Sequence, residues 1–359
     1  MTKLSAATEM RTAPPAKTPR KTPRRTPRRT PGRTSIKTSR KIIGRADGTL
    51  STPPLDRLGV LFIVLSACGF GTVGLFGKLA YAQGFTVLTT LCWRVGGGAI
   101  ALWIWLLLRN QWHIQRQQAI RALTLGAVGY ILPTGLFFLA LTYASASVTA
   151  LMFYTYPAFV AVGCVATRRA PLRRLHLFAL GLTFLGCLGT VDWAQADVQP
   201  VGIALGIAAG ASYGLYLMLS ARLLTRAAPI PTAAYMLLGA SLPTLGIVLS
   251  QYALSQYALR QYALSQYALR QYVWQWPTTF AQGGIAFGLA VVATALPIVL
   301  LYSGLKRLDV VPAAILSTLE PILAVLMGFW LLGESLWIGQ LVGGFFILMA
   351  ALLLQVKSS

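Results

Sequence analysis

Two short stretches hold most of the residues that could do chemistry in this chain. In the first, Ser317, Thr318 and Glu320 precede Pro321; in the second, Tyr154 and Tyr156 precede Pro157. Both stretches lie inside apolar windows, where a carboxylate costs roughly 2.5–3.5 kcal/mol at mid-membrane and a proline removes a helical hydrogen bond. Groups that costly at such depth are expected to face protein or water rather than lipid, and to bind a polar solute or pass protons. A basic counterpart comes from Arg94, with Trp93 beside it, about 10 Å into its own window at 1.5 Å per residue. The expected cavity has Glu320 and Arg94 as its charged poles and Tyr154, Tyr156 and Trp93 as its walls. Ser317 and Thr318 are further substrate-binding candidates. Such a lining suits an amphipathic or zwitterionic small molecule, and the carboxylate could release a proton as the molecule binds.

Plainer roles stand beside each of these. Arg94 and Glu320 could pair as glue between helices, the tyrosines could be packing, and Lys78 could reach up to the membrane interface. Gly202, Gly206, Gly210 and Gly214 share one helical face, which most simply permits close helix contact.

The elements that must position these residues are membrane helices. The chain has 359 residues, 56% hydrophobic and 11% charged, which is far from a soluble globular profile. Windows of about 20 apolar residues, enough for a ~30 Å hydrocarbon core, occur at 58–80, 87–108, 122–141, 148–166, 175–192, 201–221, 232–250, 283–303, 311–332 and 336–355. The sequence therefore predicts an all-α membrane protein of ten transmembrane helices joined by mostly short connections.

The formal net charge of +23 is concentrated at one end, since 15 of the 31 Lys and Arg residues lie between Lys3 and Arg57. There Lys17-Thr-Pro-Arg, Lys21-Thr-Pro-Arg, Arg25-Thr-Pro-Arg and Arg29-Thr-Pro-Gly repeat, and a proline every fourth residue forbids a regular helix. Residues 1–57 read as a disordered basic arm. No aromatic residue interleaves its charges to stack on bases, which disfavours nucleic acid as a partner. A second low-complexity segment, 251–272, repeats the unit Gln-Tyr-Ala-Leu every five residues, a period that winds around a helix instead of forming a stripe. It reads as a tolerated insert.

Elsewhere Arg109, Arg116, Arg121, Arg168, Arg169, Arg173, Arg174, Arg222, Arg226, Lys306, Arg307 and Lys357 mark one set of loops, while 82–86, 142–147 and 192–200 carry no Lys or Arg. The positive-inside rule then places both termini in the cytoplasm of a cell, with the protein multi-pass in the inner membrane.

Internal symmetry organises the rest. Adding 164 to Pro133 gives Pro297, and adding 164 to Pro157 gives Pro321, with Leu125, Val128, Leu132, Leu136, Leu141 and Ala150 matched in the same register. These four prolines are expected helix breaks. Five helices followed by five, an odd number, make the halves inverted repeats.

The ten-span layout, the halves ending in PAFVAV and PILAVLMGFWLLGE, and the Gly-rich closing helix resemble the drug/metabolite transporter superfamily, specifically its EamA-like family. The resemblance covers about residues 58–356. It implies a first repeat at 58–192, a second at 201–356 interrupted by the insert, and a carrier of amino acids, drugs or other small metabolites, often an exporter. The Gly-Glu pair of the family pattern is present at Gly333 and Glu334, but Arg169 and Ala170 stand at that register in the first half.

No catalytic set competes with this reading. Cys68, Cys92, Cys164 and Cys187 lie far apart within spans, His113 and His176 are isolated, and there is no HExxH or Gly-rich phosphate loop. The expectation is no enzyme, no cofactor and no metal. The function expected is secondary transport of a small-molecule substrate across a lipid bilayer by alternating access, with proton-coupled export first. A facilitator or exchanger of the same fold, or a non-transporting scaffold, are the alternatives, and either a lone bundle or a homodimer is compatible with the sequence.

Overall fold

A computed structural model of the chain describes residues 56–140, 143–144, 146–167, 174–189, 199–262, 275–333 and 338–356. The basic arm up to Leu55, Thr142 and Ser145, residues 192–198, Glu334, and the insert beyond Tyr262 lie outside the described residues.

Ten helices are present among the described residues. They are α1 (Arg57–Ala82), α2 (Leu88–Leu108), α3 (Arg116–Ala140), α4 (Val148–Ala166), α5 (Arg174–Gly189), α6 (Pro200–Leu224), α7 (Pro229–Tyr262), α8 (Phe280–Leu305), α9 (Val310–Leu331) and α10 (Ile338–Val356). Eight of them, α1–α4 and α6–α9, are long and apolar enough to cross a membrane, while α5 and the Ile338–Leu353 part of α10 are shorter apolar helices. Many large apolar side chains, such as Leu61, Ile100, Phe178 and Leu341, face outward from the bundle, as expected where lipid replaces water as the solvent. Helix α7 runs past its predicted end at 250 and carries the first part of the Gln-Tyr-Ala-Leu repeat as helix.

Helix ends follow local chemistry. The Asp56 carboxylate accepts from the Leu58 N–H at 3.0 Å and starts α1. Thr279 and Gln282 form a capping box at the start of α8. Gly333, at φ 68°, closes the segment Glu320–Leu332 in the left-handed conformation that glycine adopts without penalty.

The prolines act in two different ways. Pro157 and Pro321 each take the second position of a helix that begins anew after a break, with Tyr154–Thr155 and Thr318–Leu319 outside the helical segments. Pro133 and Pro297 do not break their helices. Each follows a wide π turn, Leu125–Tyr130 in α3 and Gly288–Ala295 in α8, which absorbs the misfit of the proline ring while the helix continues. A third π turn, Trp93–Gly97, lies in α2.

Packing pairs the helices in a regular way. α1 packs on α8 and α9, and α6 packs on α3 and α4; α2 meets α8 while α7 meets α3; α5 lies against α10. Glycine makes the closest of these approaches. A Cβ on Gly206 would lie 2.6 Å from the Met152 Cβ, and one on Gly210 would lie 2.7 Å from the Phe153 carbonyl. The stripe on α6 is therefore the surface on which α4 and its break are seated.

Candidate functional site

The two broken helices meet at their interruptions. Leaving the helix at Ser317 turns the Thr318 N–H to the Ile315 carbonyl, so the Ala314 carbonyl lacks its ordinary helical donor. Tyr156, at the first position after the other break, supplies one: its hydroxyl donates to the Ala314 carbonyl at 3.1 Å. Position 156 in α4 and position 320 in α9 are 164 apart, so a phenol on one side corresponds to a carboxylate on the other.

Around this crossing, polar groups converge from four helices. Glu320 of α9 lies within the electrostatic reach of Arg94 of α2, and its charge also reaches Tyr154 and Tyr156 of α4 and Tyr213 of α6. Arg94 likewise reaches Tyr213. The two charges are not in ion-pair contact, so they act through space. The Arg94 Nε is buried without a hydrogen-bond partner. Glu320, Tyr154 and Tyr213 are half-buried, and none of their side chains hydrogen-bonds to another described residue. Polar groups brought to mid-membrane and left unmatched by protein are costly unless a solute or water serves them.

Aromatic rings form the walls. Tyr156 stands edge-on to Tyr213 at 4.9 Å between centroids, Phe153 lies 5.1 Å from Tyr213, and Tyr213 stacks on Tyr216 at 5.5 Å. Behind them the Tyr216 and Tyr302 hydroxyls are 3.1 Å apart, with Ser220 3.4 Å from Tyr302, in a fully buried knot joining α6 to α8. Sequence reasoning missed Tyr213, Tyr216 and Tyr302. The available signal was the glycine face of α6, because Tyr213 adjoins Gly214 and so lies beside whatever that face touches.

Of the expected site residues, Glu320, Arg94, Tyr154 and Tyr156 come together. Trp93 does not join them: it packs with Ala80, Phe85, Ala286 and Leu289 and stands edge-on to Trp276 at 6.0 Å. Ser317 and Thr318 lie at the break, but their hydroxyls donate to their own helix, to the carbonyls of Ala313 and Ile315. Lys78 is exposed near the end of α1. Among the described residues, no group of three or more His, Cys, Asp or Glu is placed to hold a metal ion. A separate open cleft of about 830 Å³ lies between α2, α3 and α7, lined by Leu88, Leu91, Ile131, Phe138 and Ile247, with Gln251 and Gln275 at its polar edge.

At the opposite end of the bundle the loops are tied together. Arg307, between α8 and α9, forms an ion pair with Asp56 at 2.9 Å, and the adjacent Lys306 ammonium donates to the Ala227 carbonyl at 3.1 Å.

Comparison with known proteins places this geometry in a family. Residues 57–191 and 200–356 each match the model of the EamA-like transporter family. The chain is similar to an uncharacterized transporter of Archaeoglobus fulgidus, with 29% identity over 300 residues, covering 83% of this chain and 96% of that one. It is also similar to the uncharacterized transporter YcbK of Bacillus subtilis, with 26% identity over 292 residues, 79% of this chain and 88% of the relative. A crystal structure of a protein superposes with a TM-score of 0.64 at 18% identity, over 83% of this chain and all but 2% of the other, a likeness of fold.

Proposed function

The chain belongs to the EamA-like transporter family, and on that premise we propose that it is a secondary transporter that exports small amphipathic or zwitterionic metabolites by alternating access. It is a multi-pass membrane protein, and the family places a small-molecule substrate and a lipid environment around it.

The reading takes α5 and α10 as spans and divides the chain into a first five-helix repeat at 58–192 and a second at 201–356, inverted relative to each other. Two observations support this. The family model matches twice, once in each half. Exchanging α1–α5 for α6–α10 also maps the packing onto itself: α1 on α8 becomes α6 on α3, α1 on α9 becomes α6 on α4, and α2 on α8 becomes α7 on α3. Carriers built from inverted repeats bind at the repeat interface beside broken helices, which is where Tyr156 and Glu320 lie. Basic loop residues favour the inner membrane with the Arg307 end in the cytoplasm.

The observation that carries the proposal is the convergence of Glu320, Arg94, Tyr154 and Tyr213 from four helices, none hydrogen-bonded through its side chain to another described residue. In this reading Arg94 receives an anionic group and Glu320 receives a cationic one, or a proton when the site is empty. Proton release on substrate binding then couples export to the proton gradient. Tyr154 contributes a hydroxyl beside the carboxylate, and Tyr156 holds the two breaks together.

The test is an untargeted comparison of metabolites inside and outside cells producing the wild type or Glu320→Gln at equal membrane abundance. The wild type should move one class of amphipathic metabolite outward, and Glu320→Gln should abolish that shift. An unchanged shift in the variant would count against the proposed site.

A further inference from the structure

We infer that Phe70 of α1 and Tyr213 of α6 are the two walls between which the apolar body of the substrate lies, so that this aromatic pair sets which substrates are accepted. The inference rests on the transport reading above and names the part of the substrate that Glu320 and Arg94 do not hold.

It begins with two glycines. A Cβ on Gly71 would lie 2.9 Å from the Leu323 Cβ and 3.3 Å from both the Glu320 carbonyl and the Ala324 nitrogen. A Cβ on Gly214 would lie 3.1 Å from the Tyr156 carbonyl, 3.3 Å from the Phe159 Cβ and 3.5 Å from the Val160 Cγ2. Subtracting 164 from 320, 323 and 324 gives 156, 159 and 160. α1 therefore sits on the break of α9 as α6 sits on the break of α4, residue for corresponding residue. The residues that precede the two glycines, Phe70 and Tyr213, occupy equivalent positions.

Both side chains turn into the bundle. Residues three and four positions back share a helical face, and for Phe70 these are Ala67 and Ser66, both buried, with the Ser66 hydroxyl donating to the Pro297 carbonyl at 2.7 Å. For Tyr213 they are Gly210 and Ala209, also buried. Yet Phe70 and Tyr213 themselves are half-buried. Tyr213 has one face on Tyr216 and its edge toward Tyr156, its hydroxyl bonds to no described residue, and both charges of the site reach it. Phe70 packs against the core and stacks on no other ring among the described residues. A pair of aromatic side chains at equivalent positions beside the two breaks, with two opposite charges in the same site, suits a zwitterion with a flat or branched apolar body of about ring size.

The experiment uses the purified full-length chain in detergent and three zwitterions of one head group and graded bodies: phenylalanine, leucine and glycine. Ligand-induced shifts in thermal unfolding give apparent affinities. For the wild type the order should be phenylalanine, then leucine, with glycine producing no shift. Phe70→Ala and Tyr213→Ala should each weaken phenylalanine binding by about three- to tenfold, the range expected for losing one aromatic contact. Phe70→Leu, which keeps bulk, checks that the loss reflects the ring rather than folding, and should narrow the gap between phenylalanine and leucine. Glu320→Gln should weaken phenylalanine and leucine alike.

If Phe70→Ala and Tyr213→Ala bind phenylalanine as the wild type does while Glu320→Gln does not, the wall assignment is wrong and the charged site stands. If the wild type binds glycine as tightly as phenylalanine, or binds none of the three, the assignment of a ring-sized apolar body is overturned. Loss confined to the wall variants, with Glu320→Gln unaffected, would keep the walls and remove the proposed role of the carboxylate.

Discussion

The hydroxyl of Tyr156 donates to the carbonyl of Ala314 at 3.1 Å, and this bond joins the first turn after one helix break to the last turn before the other. The carbonyl is one that the break in α9 leaves without its helical donor, so that interruption is completed by a side chain of α4. Tyr156→Phe should remove the bond and leave that carbonyl unsatisfied in a buried site, at a cost of about 1–3 kcal/mol. Thermal unfolding of the purified protein would measure it, and an unchanged midpoint would mean that the carbonyl finds another donor.

Arg94 and Glu320 interact through space from different helices, so removing either leaves the other charge uncompensated at depth. Glu320→Gln and Arg94→Gln should each destabilise, and the double substitution should recover part of the loss. A coupling on the order of 1–2 kcal/mol is expected for opposite charges beyond contact distance in an environment of intermediate polarity. Additive effects in a double-mutant cycle would show that the two charges do not sense each other.

The ion pair of Asp56 with Arg307 makes a pH-dependent contribution that can be signed. The hydrogen bond from the Arg307 guanidinium holds the Asp56 carboxyl below the ordinary aspartate value; desolvation opposes it, and the Leu58 and Gly59 backbone and the Arg307 charge add to the lowering. A carboxyl depressed in the folded state stabilises above its unfolded pKa, about 3.9 for aspartate, and loses that contribution as pH falls through the depressed value. Between neutrality and mild acid the pair should be intact. Asp56→Asn should abolish the part of the acid-side loss of stability that is attributable to this residue, and added salt should mimic the effect in the wild type because the pair is exposed. Superimposable acid profiles for wild type and Asp56→Asn would refute it.

Close approach of α6 to α4 depends on the missing side chain at position 210. Gly210→Ala should destabilise by about 1–3 kcal/mol, because the added methyl would meet the Phe153 carbonyl at 2.7 Å. Gly74→Ala, where a Cβ would meet nothing within 4 Å, should be neutral or slightly stabilising as a helical substitution. Equal effects at the two positions would show that the glycine face is not a packing surface.

Much of the scaffold could be read from residue types. Membrane helices announce themselves by apolar length, and the breaks at Pro157 and Pro321 follow from proline beside polar residues in a span. Proline alone did not distinguish a break from a bend: Pro133 and Pro297 sit in helices that continue, because a π turn upstream takes up the strain, and nothing in the local sequence marks that turn. In the site, Arg94 is expected as a charged pole and Trp93 as a wall, yet neighbours on a helix diverge by about 100°, and Trp93 packs on Phe85 and Leu289 instead. The contribution of Tyr213 depends on the packing of α6 against α4, a contact between residues far apart in the chain.

The central claim is that the space beside Tyr154, Tyr213 and Glu320 is a pathway reached in turn from each face of the membrane. Tyr154→Cys, in a background with Cys68, Cys92, Cys164 and Cys187 replaced, tests it by reaction with a membrane-impermeant thiol reagent in right-side-out and in inside-out vesicles. The account predicts labelling in both preparations, slowed in each by a transported substrate. A cysteine at position 154 that reacts from neither face, in protein shown to be folded, would contradict it and mark the cluster as packing alone.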